Sequence, residues 1–290
     1  MLSKSSDRNE LFCTNVISTL NLIGQTFPHS GIDSDICMSV NSKITASKLK
    51  SAFQSMLIAF LSKRLTENMT KKILMGFENY YLMLDSPPIM ADYITRCYDS
   101  DNLSISILAL HSLFKLITGT KNNLFDATYK ESRNSVEDGP FVTIISIIFL
   151  DYNYEYPEFY PKLYKILTDD IIYSASRVRF FHLLDLFLSS PLLPLSMQAA
   201  FTKRLARICL HSPSPVILAL LPLIFNQIRR NQALRFLINS PDPKELDSDP
   251  FDNTTDDMDK CHAMETSLWE IETLRKHFIP EVSKMANCKF

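Results

Sequence analysis

Apolar residues recur at helical spacing through most of the chain, and the pattern is sharpest between Ser176 and Leu210. There Phe180, Phe181, Leu183, Leu184, Phe187 and Leu188 form one stripe, with Arg177, Arg179 and Asp185 between them. The spacing predicts a helix that ends at Ser189-Ser190-Pro191. A second helix follows, with Met197, Ala200, Phe201, Leu205 and Ile208 in a stripe and Lys203, Arg204 and Arg207 off it. One side of this pair is apolar and the other is positively charged. Such a pair stacks on similar pairs and turns its other surface to a partner.

The rest of the chain divides around that pair. Residues 1–43 are weakly patterned and read as a poorly ordered segment, with one short helix over 10–23. Residues 44–117 predict helical hairpins. Leu49, Phe53, Met56, Leu57 and Phe60 make one stripe, and Ile73, Leu74, Phe77, Tyr80, Tyr81 and Leu84 a second, stopped by Ser86-Pro87-Pro88. A short helix over 89–98 and a longer one over 103–117 follow, the latter with Leu103, Ile107, Leu110, Phe114 and Ile117 on one face. Residues 118–150 read as an inserted loop whose last ten residues, 141–150, suit either a strand or a buried helical turn. Residues 151–240 form a helical domain. It opens with an aromatic, proline-punctuated connector and a helix begun by Pro161. It closes with a helix over 216–230 that is apolar nearly all round and should be kinked by Pro222. Residues 241–262 read as an exposed acidic linker, and 263–290 as a docking helix over 263–278 plus a tail, anchored by Trp269, the only tryptophan. Helices of this length joined by short breaks predict an all-α, HEAT-like helical-repeat solenoid, although no repeat is visible in the sequence itself.

Composition sharpens this. Five glycines in 290 residues disfavour nucleotide-binding α/β folds, which need glycine where backbone meets phosphate. The net charge of −2 conceals a strong asymmetry. Residues 160–235 hold ten Lys/Arg against three Asp/Glu, or +7, and residues 241–281 hold four against twelve, or −8. The two regions either neutralise each other in the fold, or the basic one faces RNA or an acidic partner and the acidic one a basic partner. The six cysteines are scattered and form no CxxC, and Lys4, Asp7, Arg8 and Glu10 interrupt any leader-like apolar run. Free thiols in a reducing compartment are therefore expected. The apolar runs 141–150 and 216–225 have ten residues each, half of the ~20 needed to span a bilayer, so a membrane is not an expected partner.

No arrangement of reactive residues stands out. The histidines form no HExxH or paired Cys/His zinc spacing. The segment 247–259 fails as a calcium loop, because Asp252 and Met258 stand where glycine and a bidentate glutamate are required. Asp169-Asp170 read as helix-end residues and His182 as a core histidine. No GxSxG, phosphate-binding loop or kinase motif occurs. The chain is thus expected to be no enzyme and to take no cofactor. Arg177, Arg179, Lys203, Arg204, Arg207, Arg229 and Arg230 are the candidate partner or RNA surface. The aromatic connector can stack nucleobases, though its ordinary use is to wedge one hairpin against the next.

Several words in order carry a resemblance: ILALHSLFKLI (107–117), YPEFYPKLYKIL (156–167), RFFHLLDLFLSSPLLP (179–194), AAFTKRLARICL (199–210), LPLIFNQIRRN (221–231), DPFD (249–252) and SLWEIETLRKHFIPEVSKMA (267–286). Together they resemble the CCAAT-binding-factor-type (CBF) family of nucleolar proteins, over residues 103–286. The resemblance implies a helical-repeat scaffold in the nucleolus that pairs with nucleolar protein 14. It also implies a place in the small-subunit processome, with support for pre-18S rRNA processing and pre-40S export. Family chains are longer at the N-terminus, and residues 119–150 look like an insertion. The family's historical name points to an alternative, a DNA-binding transcription factor of the CCAAT-binding type. The two apolar runs leave a nuclear-membrane location as a further alternative.

Overall fold

The computed structural model describes residues 2–26, 46–63, 65–81, 83–84, 87–118, 158–190, 193–238 and 249–288. Among these residues every regular element is an α-helix or a 3-10 turn, as the all-α expectation requires. The loop expected over 118–150, with its strand or turn at 141–150, lies outside the described residues apart from Thr118, which ends a helix; 27–45, 151–157 and 241–248 lie outside them too. The chain forms two compact units, divided between Ser135 and Val136.

The first unit contains α1 (Leu2–Thr26), α2 (Ala46–Leu61), α3 (Glu67–Met75), α4 (Phe77–Tyr81), α5 (Ala91–Tyr98) and α6 (Leu103–Thr118). Its centre is α6, which packs on α3 and α5. The sequence pattern gave α6 one buried face, but residues 105–114 are all buried. Its polar members cost little there. Ser106 and Ser112 donate their hydroxyls to the carbonyls of Ser100 and Leu108. Asn102 caps the helix, its side-chain oxygen accepting from the N–H of Ser104 (3.1 Å) and Ile105 (3.3 Å). Glu78, on α4, accepts from His111 at 3.2 Å and pairs with Lys115 at 2.5 Å.

Two expectations for this unit are corrected. The segment 1–43 is not unstructured throughout: α1 runs for 25 residues, and Ile17 and Leu20 bury against α3 and α4. Serine and asparagine made it look weak, because they lower helix propensity, but tertiary burial outweighs that deficit. The single helix expected over 73–84 breaks at Gly76, which ends α3. A Cβ at Gly76 would run into Asn21 Oδ1, and one at Gly24 would lie 2.8 Å from the Asn79 carbonyl oxygen. These two glycines let α1 approach the α3–α4 corner closely.

The second unit contains α7 (Phe159–Ile166), α8 (Arg177–Leu188), α9 (Leu195–His211), α10 (Ser214–Arg230), α11 (Trp269–Arg275) and α12 (Pro280–Ala286). The hairpin of α9 and α10 turns at Ser212-Pro213, with Pro213 at the N-cap of α10 and Pro215 in its first turn, where proline is tolerated. Pro222 is accommodated inside α10. Pro161 lies in the first turn of α7 rather than opening it, where its missing N–H leaves no bond unmade. The expected pair over 176–210 is present as α8 and α9.

In the second unit the most enclosed helix is α9, not α10. Ten of the eleven side chains from Ala199 to Cys209 are buried, Arg207 being the exception. It is covered on one side by α10 and on the other by the 249–275 segment. This corrects the exposed linker expected over 241–262. From Asp249 onward the acidic stretch is packed, with Phe251, Met258 and Cys261 buried and a loop closed by the Asp252 N–H on the Cys261 carbonyl (3.1 Å). Its charges suggested solvent because their counter-charges lie far away in sequence. The docking helix expected over 263–278 is also divided. Ala263–Glu265 is a 3-10 turn, and α11 stops at Arg275 ahead of Pro280, which starts α12.

Candidate functional site

Lys203 and Arg207 stand four residues apart on α9 and so share a face, with Arg204 a third of a turn away. That face receives residues 249–270. Lys203 is fully buried, and its ammonium lies 2.6 Å from the Ser267 carbonyl, 2.8 Å from Asp249 and 2.7 Å from Glu270. Its three N–H groups therefore have three acceptors within reach. Arg207 pairs with Asp249 at 2.5 Å and with Glu270 at 2.9 Å. The guanidinium also lies over the Trp269 ring, 4.7 Å from its centroid. Arg204 lies 4.1 Å above the Tyr164 ring and donates to the carbonyls of Tyr164 (3.2 Å) and Asn253 (3.4 Å).

Asp249 is the hub. One carboxylate oxygen meets Lys203, Arg207 and the Trp269 indole N–H (2.6 Å). The other accepts from the Thr266 hydroxyl and the Phe251 N–H (3.2 Å). Burial alone would raise this carboxyl, but the bonds from Lys203, Thr266 and Trp269 overcome it and hold it at about 2. Glu270 is fully buried, and there burial wins, raising its carboxyl despite Lys203 and Arg207. Burying an ion costs several kcal/mol, and the two carboxylates of the cluster meet that cost differently. Asp249 has both cations and hydrogen bonds, whereas Glu270 has the nearby charges of Lys203 and Arg207 but no hydrogen-bond partner on either carboxylate oxygen. The backbone makes one concession to form it. His262 takes φ 55° where the chain turns from the loop onto α9, a conformation costing about 1–2 kcal/mol.

The candidate surface residues thus separate. Lys203, Arg204 and Arg207 do not form an open cationic face: their charges are met internally by Asp249, Glu270 and backbone carbonyls. Arg230 is half-buried and holds Asp185 through two bonds, 2.7 and 3.3 Å, tying α10 to α8. Arg177, Arg179 and Arg229 are exposed. Trp269, the expected anchor of the last helices, is 38% exposed, and its indole N–H donates to Asp249 at 2.6 Å. Asp249, Glu270, Thr266 and Tyr164 escaped the sequence reading. The one available signal was the matching +7 and −8 of the two regions. Among the described residues, no helix is long and apolar enough to cross a membrane.

Comparison with known proteins covers this region. The CBF/Mak21 family model matches residues 106–286, which include both α9 and the segment that covers it. The nucleolar complex protein 4 homolog of Mus musculus is 41% identical over 239 residues, 82% of this chain and 40% of that protein. The Homo sapiens homolog is 39% identical over 81% of this chain and 39% of its own length. Homolog A of Xenopus laevis is 34% identical over 99% of this chain and 50% of its own. The chain spans two fifths to half of the length of these curated relatives.

Proposed function

The chain belongs to the CBF/Mak21 family, and we propose that it is a non-enzymatic nucleolar assembly factor for the small ribosomal subunit. In this reading it pairs with nucleolar protein 14 within the small-subunit processome and supports pre-18S rRNA processing and pre-40S maturation. The observation that carries the reading is 41% identity, over most of the chain, to a relative named for a nucleolar complex. The buried cluster is consistent with it. Three cations and two carboxylates are spent on one another and on backbone carbonyls, which stiffens a scaffold instead of leaving a group free to react. The same commitment weighs against the DNA-binding alternative suggested by the family's historical name, because that activity needs cationic side chains on an accessible helix face. The proposed contact surface narrows to Arg177, Arg179 and Arg229, the cations of the original set that stay exposed.

Affinity purification of the tagged chain from nuclear extract, read by mass spectrometry and RNA sequencing, tests the proposal. Recovery of nucleolar protein 14, processome proteins and pre-18S RNA is expected. A folded chain that recovers none of them overturns it.

A further inference from the structure

We draw no further inference here: the strongest candidate, the surface patch at the start of α8 where Tyr173 and Val178 are exposed beside Arg177 and Arg179, carries nothing beyond the contact surface already proposed, because it is a helix N-terminus preceded by the exposed carboxylates Asp169 and Asp170 and nothing in the structure shows what covers it.

Discussion

Replacing Lys203 by methionine removes an ammonium that lies 5.8 Å from the Phe251 ring centroid and 5.5 Å from that of Trp269, and keeps most of the aliphatic stem. Asp249 would still hold Arg207, Thr266 and Trp269. Glu270, fully buried, would be left with Arg207 as its cation. Truncating one partner of a buried ion pair costs about 3–5 kcal/mol, because the other charge stays desolvated. At about 2–4 °C per kcal/mol for a unit of this size, the transition should fall by roughly 10 °C. Trp269 is the only tryptophan and its indole N–H bonds Asp249, so its fluorescence reports the cluster itself during thermal unfolding. Adding Glu270→Leu to Lys203→Met removes the stranded charge, and most of the loss should return, since apolar replacement of a whole buried pair is commonly neutral or better. A shift below about 1 kcal/mol in the single variant, or a double variant worse than the sum of both singles, would refute the argument that these charges depend on one another.

Three further outcomes are expected. Gly24→Ala pushes a methyl against the backbone of Asn79, which has no flexible end to move, and should destabilise the first unit by about 1–3 kcal/mol in urea unfolding. Asp249 and Glu78 are both held at about 2, below ordinary values of 3.8 and 4.5, so their stabilisation is complete above pH 4.5 and is lost as pH falls toward 2. Glu270, raised by burial, has the opposite sign and costs stability above pH 4.5, so thermal midpoints should be flat or slightly higher near that pH and then drop steeply. Arg177→Glu, Arg179→Glu and Arg229→Glu together should weaken co-purification with pre-ribosomal particles. These exposed changes should each move stability by less than about 0.5 kcal/mol, and an unchanged yield of particles would remove this surface from consideration.

What could be read from the sequence was what local periodicity records. The helices around Phe181 and Phe201 were legible to within a few residues because their apolar stripes are dense. The break at Gly76 was not, since the apolar period runs on through it and the reason for the glycine is Asn21, more than fifty residues earlier. The acidic stretch was misread for the same reason. Asp249 and Glu270 carry no local mark of burial, and the groups that make burial possible, Lys203 and Arg207, lie more than forty residues upstream. A helical wheel assigns three cations off the apolar stripe to solvent. Only the balance of total charge between the two regions hinted that they meet.

The way α9 is covered has a consequence for synthesis. The ribosome delivers α9 and its three cations well before Asp249 and Glu270 leave the exit tunnel. During that interval the nascent helix has an apolar side to bury and a cationic side with no counter-charge. Any product that terminates between residues 212 and 248 keeps that mismatch for good. Residues 249–275 therefore act as a check on synthesis: only a product translated through them can close the core around α9, and one that stops before them keeps apolar and cationic groups open to chaperones and proteases.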